Sequence, residues 1–144
     1  MKRTIPVISL FCGAGGFDLG FSEYKPDSPP KAKARGGVGT RFEIELAIDW
    51  NPAAVATYNA NHPTTRRLPP VAEVGDLSKI TTRKLIERWE RRNGSGSPMP
   101  MGLIGGPPCQ AFSVANVSHQ VDDPRAKLIY AYANLVEGLH TEAG

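Results

Sequence analysis

A chain of 144 residues with 40% apolar content can bury a core of its own, and its 2 cysteines are too few for a disulfide framework or a four-ligand zinc site. No stretch approaches the roughly 18 consecutive apolar residues of a membrane span, and the apolar run after the basic start Met1-Lys2-Arg3 is too short for a signal peptide. The net charge of +3, from 17 basic and 14 acidic residues, permits a polyanionic partner without demanding one. These features suit the reducing cytoplasm, and no metal and no membrane association are expected.

In chain order, residues 5–11 run β-branched and apolar together and read as a buried strand. Cys12-Gly13-Ala14-Gly15-Gly16 breaks it with a turn, and residues 17–24 read as a short helix. Residues 25–41 are rich in Pro, Gly and Lys with no hydrophobic period, which predicts a flexible basic surface insertion. Phe42, Ile44, Leu46 and Ile48 alternate with Glu43, Glu45 and Ala47, as in a strand with one wetter face. That strand ends at Asp49-Trp50. Asn51 then caps a helix with Pro52 in its first turn, ending near His62-Pro63.

Residues 71–74 form a weak strand leading to Gly75-Asp76-Leu77. Thr81 or Thr82 caps a helix to Arg92 with Leu85, Ile86 and Trp89 on its inner side. A Gly/Ser loop and a strand over 101–104 follow. Two glycines, two prolines and a cysteine come next, Gly105-Gly106-Pro107-Pro108-Cys109. Asp123-Pro124 starts a last helix with Leu128, Tyr132, Leu135, Val136 and Leu139 on one stripe.

Strand and helix therefore alternate four times, the pattern of an α/β fold with a parallel sheet. Ligands of such sheets bind beyond the carboxyl ends of the strands. The unusual residues sit at those ends: the glycine turn, Asp49-Trp50, Asp76 and Cys109. A glycine turn allows close backbone approach to a ligand, and the helix after it offers free N–H groups. Asp49 can accept both hydroxyls of a ribose, Trp50 offers a flat face to a purine or a filling for the core, and Asp76 can accept an exocyclic amine or stabilise a turn. With no Walker lysine and no third spaced glycine, S-adenosylmethionine fits this set better than NAD or ATP. A stiff Pro-Pro loop displays Cys109 next to that site, which points to nucleophilic catalysis beside a methyl donor.

At these residues the chain resembles the cytosine-5 DNA methyltransferases. Phe11-Cys12-Gly13-Ala14-Gly15-Gly16-Phe17-Asp18-Leu19-Gly20-Phe21 is similar to their first motif, and Gly105-Gly106-Pro107-Pro108-Cys109-Gln110-Ala111-Phe112-Ser113 to their catalytic motif. Asp49-Trp50, Gly75-Asp76-Leu77 and Asp122-Asp123-Pro124-Arg125 with Leu128 resemble the motifs between and after, in the same order. The resemblance implies a Rossmann-like, partial methyltransferase fold of about four parallel strands with flanking helices. It implies an S-adenosylmethionine pocket lined by Phe11, Gly13, Gly15 and Gly16, with Asp49 on the ribose. Trp50 and Leu77 would meet the adenine ring, Asp76 its amine, and Pro108 would wall the site. Cys109 would add to C6 of a cytosine flipped out of double-stranded DNA, and C5 would take the methyl group. Gln110 and Ser113 are candidate DNA contacts. Restriction-modification is the implied setting.

The family also carries a Glu-Asn-Val motif, a later arginine motif, a target-recognition domain and a closing helix, none of which occurs in residues 1–144. Asn116 and Gln120 stand where many members have glycine, and Cys12 where a small residue is usual. The chain thus reads as the N-terminal part of a catalytic domain that is not expected to catalyse the reaction alone. Alternatives are an inactive cofactor-binding remnant, or half of a split enzyme whose second polypeptide supplies the rest. A transfer-RNA methyltransferase and a hydrolase using Cys109 with His119 are further readings. Uncovered sheet edges and apolar patches predict self-association.

Overall fold

The computed structural model describes residues 3–23, 40–62, 71–108 and 126–142. Strands β1 (Arg3–Leu10), β2 (Thr40–Asp49), β3 (Ala72–Val74) and β4 (Gly102–Gly105) alternate with helices α1 (Gly16–Glu23), α2 (Pro52–Asn61), α3 (Thr82–Asn93) and α4 (Ala126–Glu142). The strands form one sheet in the order β3-β2-β1-β4, and every pairing is parallel. All four carboxyl ends therefore lie along one rim.

Local sequence explains most boundaries. Asn51 Oδ1 accepts from the N–H groups of Ala53 (2.9 Å) and Ala54 (3.4 Å), and Pro52 gives up no hydrogen bond in the first turn of α2. Thr81 caps α3 through the Lys84 N–H, and Gly94, at φ 98°, ends it in a conformation costly for other residues. Leu85 and Trp89, one turn apart, are the buried stripe of α3.

The sheet is covered on both faces. On one, Ile8, Leu10, Leu46, Ile48 and Leu77 pack with Leu85 and Trp89 of α3 and Leu135 of α4. On the other, Cys12, Ala47 and Ala72 pack with Val55 and Tyr58 of α2. This cover corrects the wetter face expected for β2: Glu45 is only 8% exposed. The simple alternation fails too. Phe42 packs on Phe21 of α1 and Ile44 joins the α2 core, whereas Leu46 and Ile48 belong to the α3 core. The register explains this, since Val7 pairs with Ile44 but Ile8 with Leu46, so Glu45 is an inserted bulge residue. Such a bulge re-aims the side chains beyond it.

Two smaller expectations are corrected and one is met. Thr40 and Arg41 belong to β2 and not to the insertion, the rest of which, from residue 25 to 39, lies outside the described residues. The stripe of α4 is narrower than the periodicity suggests, because Val136 is exposed while Leu135 is buried. Cys12, expected to pack, does so and is buried.

Candidate functional site: a laced rim at the strand ends

The rim is built where β1 stops. Phe11 has φ 58°, a left-handed conformation that costs an L-residue ~1–2 kcal/mol. It turns the chain sharply out of the sheet, and its ring lies near Tyr132, 6.4 Å between centroids. Gly13 (φ 53°) and Gly15 (φ 92°) complete the turn, closed by the Gly15 N–H on the Cys12 carbonyl at 3.0 Å. Gly15 is required twice over. Besides its positive φ, a Cβ there would stand 2.8 Å from Tyr58 Cδ2 and closer still to the His62 ring. At the other end of the rim β4 approaches β1 so closely that a Cβ on Gly105 would collide with the Leu10 carbonyl.

Asp49 stands at the centre. The Gly13 N–H donates to its Oδ2 and the Asn51 N–H to its Oδ1, both at 2.9 Å. Its carbonyl accepts from the Gly75 N–H at 2.8 Å, and the Cys12 N–H donates to the Ile48 carbonyl at 3.2 Å. One residue thus ties the glycine turn, the start of α2 and the end of β3. Each carboxylate oxygen has a second lone pair, so ribose hydroxyls can still be accepted.

Trp50 is 72% exposed, which removes the core-aromatic reading and leaves a free indole at the end of β2. Asp76 is occupied locally. It accepts from the Ser78 N–H (3.0 Å) and hydroxyl (2.6 Å) and pairs with Lys79 at 3.0 Å. The Ser78 hydrogen bonds, with Lys79, hold its carboxyl below the usual range. Leu77 is buried among the α3 core residues, and Pro108 is half-buried after β4. Gly16 opens α1 and is exposed. Cys109, Gln110 and Ser113, the predicted nucleophile and DNA contacts, lie outside the described residues, as does His119.

The structure adds what the sequence reading missed. Asp18 of α1 is 1% exposed and accepts from the Ser9 hydroxyl (2.7 Å) and the Tyr58 hydroxyl (2.9 Å). Tyr58 stacks on His62 with centroids 4.3 Å apart. Burial pushes the Asp18 carboxyl up, against the two hydrogen bonds and the nearby His62, and drives the Tyr58 hydroxyl far up. Burial, then Asp49 and Asp18, push the Cys12 thiol up to about 12, so it is a neutral packing group. A carboxylate early in a helix reads from sequence as a dipole partner, so nothing in the first motif marked Asp18 as buried. A separate groove of about 450 Å³ is lined by Gly16, Phe17, Gly20, Phe21 and Phe42. Among these described residues none has a hydrogen-bonding side chain, so what they offer is packing.

A parallel α/β sheet with a glycine turn, a carboxylate and an exposed aromatic along its carboxyl rim offers the groups that a nucleoside-containing ligand requires. The donors present fit the adenosine part of such a cofactor: backbone N–H groups, a carboxylate with spare lone pairs and a bare indole face. The comparisons narrow this to a family. A family model described as C-5 cytosine-specific DNA methylase matches residues 5–143, and the chain belongs to that family. Its members use S-adenosyl-L-methionine.

The chain is 33% identical over 147 aligned residues to the type II methyltransferase M.SacI of Streptomyces achromogenes, covering 99% of this chain and 34% of that protein. It is 36% identical to the type II methyltransferase M.AquIA of Picosynechococcus sp., covering 90% of this chain and 42% of that protein. The chain thus spans between a third and under half of these relatives' lengths. In structure it is similar to the Entamoeba histolytica methyltransferase EhMeth, with TM-score 0.58, 21% identity, and 94% of this chain and 34% of that one covered. It is also similar to the S. pombe Dnmt2 methyltransferase, with TM-score 0.54, 21% identity and coverage of 92% and 32%. At that identity these two likenesses concern the fold. No helix among the described residues is long and apolar enough to cross a membrane, and no cluster of metal-ligating side chains occurs among them.

Proposed function

We propose that this chain carries the cofactor site and the nucleophile of a DNA (cytosine-5-)-methyltransferase. The observation that carries the reading is the rim itself: Asp49 fastened to the glycine turn beside an exposed Trp50, the two residues to which the family resemblance gives the ribose and the adenine. When bound, that cofactor supplies an electrophilic methyl group. Asp49 accepts the ribose hydroxyls, Trp50 covers one face of the adenine, and the turn around Gly13 and Gly15 brings backbone close to the ligand. Asp76 already holds Ser78 and Lys79, and the free lone pairs of its carboxylate take the adenine amine. The remaining roles, of Leu77 beside the adenine ring and Pro108 as a wall of the site, follow the family resemblance.

On the substrate side, the Cys109 thiolate adds to C6 of a flipped cytosine, and the electron pair of the C5–C6 bond moves to C5. C5 takes the methyl group. Loss of the C5 proton then restores the double bond and expels the thiolate. Gln110 and Ser113 line the DNA side. Because the chain spans a minor share of its relatives' lengths, a second reading has specific support: these residues hold cofactor and nucleophile, while residues outside this sequence, in the same or a second polypeptide, hold the base.

The test is a duplex carrying 5-fluorocytosine, mixed with the chain and S-adenosylmethionine. Fluorine at C5 cannot leave as a proton, so methyl transfer traps the Cys109 adduct. An adduct that Cys109→Ala abolishes is the expected result if the chain acts alone. Cofactor binding with no adduct selects the second reading. No cofactor binding at all overturns both.

A further inference from the structure

We propose that Asp18 is a positioning residue for the cofactor, acting through Tyr58 on the glycine turn; this rests on the cofactor reading above. The geometry links four points. Asp18 lies on α1, three residues after Gly15. It is closed off from solvent and accepts from Ser9 of β1 at 2.7 Å and from Tyr58 of α2 at 2.9 Å. Tyr58, itself fully buried, stacks on His62, and these two rings are the wall against which the Gly15 Cα rests. The path from carboxylate to hydroxyl to ring to glycine is continuous. It joins the strand before the turn, the helix after it and the helix that backs it.

A stability role alone explains this arrangement poorly. A carboxylate that is wholly buried against two neutral hydroxyls, with desolvation opposing its charge, is a costly way to join three elements. An apolar contact would pack as well. Two hydrogen bonds to one buried carboxyl group, however, fix direction as well as distance. A left-handed turn has no side chains of its own at Gly13 and Gly15 with which to hold its shape. Asp49 fixes that turn from the front, through the Gly13 N–H, and Asp18 fixes it from behind, through Tyr58. Asp18 touches no ligand in this scheme. It sets where the backbone of the turn stands, and so how closely a ligand can approach the rim, which decides affinity.

The experiment is calorimetric titration of the whole chain with S-adenosylhomocysteine, alongside thermal unfolding of each variant. Asp18→Ala is expected to weaken binding about tenfold and Tyr58→Phe about fivefold. Their combination should cost little more than Asp18→Ala alone, because they cut the same path. Asp18→Asn keeps the shape and can still bond both hydroxyls, so it should stay within about threefold of the unaltered chain. Trp89→Phe is the control: it loses the indole bond to the Pro98 carbonyl on the opposite face of the sheet and should lower stability with affinity unchanged. If Asp18→Ala fails to fold, Tyr58→Phe and Asp18→Asn carry the test. Unchanged affinity in Tyr58→Phe overturns the proposal. So does a loss of affinity in Trp89→Phe that matches its loss of stability. An unaltered chain that binds no S-adenosylhomocysteine overturns the cofactor reading itself, and this proposal with it.

Discussion

Asp49 and Trp50 are adjacent in sequence but stand in opposite environments, one nearly closed off and one open. Replacing each tests a different contribution. Trp50→Ala removes a stacking face worth ~1–3 kcal/mol, so S-adenosylhomocysteine affinity should fall about tenfold or more while the unfolding midpoint hardly moves, since the exposed indole packs on little. Asp49→Ala should lower both, because the Gly13 and Asn51 N–H groups lose their acceptor. An Asp49→Ala chain of unchanged stability would contradict the tie across the rim. Cys12 gives a third test. With its thiol pushed up to about 12, a Cys109→Ala chain should resist alkylation at neutral pH until it is unfolded. Rapid labelling of the native chain would show an accessible thiolate instead.

Asp18 has a pH consequence of definite sign. Its folded pKa is raised above the unfolded value, so its contribution is complete below the ordinary aspartate range and is lost as pH rises through the folded pKa. As pH rises above the ordinary aspartate range and through the folded pKa, the unaltered chain should therefore lose stability relative to Asp18→Asn, a comparison that subtracts the other titrating groups. A stability difference that stays flat across this window would show that the carboxyl is not desolvated in solution.

At the scale of elements, the short strand β3 is held from two sides. β2 pairs with it through Ala47, Ile48 and Asp49. On its other side, where no strand pairs with it among the described residues, Asn59 of α2 takes its place: its Nδ2 donates to the Ala72 carbonyl, and its Oδ1 accepts from the Ala72 N–H, both at 2.9 Å. Arg88 of α3 adds an ion pair to Glu73 at 3.2 Å and a bond to the Val74 carbonyl. Asn59→Ala strands two backbone groups of a buried residue, at ~1–3 kcal/mol, and should lower the unfolding midpoint by several degrees. An unchanged midpoint would mean that water satisfies that edge. The same helix shows the limit of periodicity: α2 was readable from its Asn-Pro start, but the inward aim of Asn59 and Tyr58 was not.

At the scale of the molecule, the sheet formed by the described residues has one edge at β3, bridged by Asn59, and another at β4, which among them pairs only with β1. Tyr130 and Val136 of α4 and Met101 before β4 are exposed on nearby elements. Open strand edges with apolar neighbours promote association. Size-exclusion chromatography with light scattering should show dimers or larger species of the isolated chain. A monodisperse monomer that unfolds cooperatively would contradict this.

The sequence by itself determined the order of elements, the parallel sheet and the identity of the rim residues. Those depend on local patterns: apolar runs, a Gly-rich turn, Asn-Pro and Thr caps, and polar residues punctuating strand ends. The family resemblance rested on the same short motifs. Only the tertiary structure decided what each rim residue touches. The bulge at Glu45 could not be read from β2 alone, because a bulge is a mismatch between two strands. Trp50 as surface and Leu77 as core, both near apolar neighbours in sequence, were separated by which face α3 covers. Ser9 and Tyr58, which Asp18 joins, lie 49 positions apart in sequence, and no local pattern announces a carboxylate buried between two hydroxyls; the chain has to fold before that contact, or its effect on the glycine turn, exists.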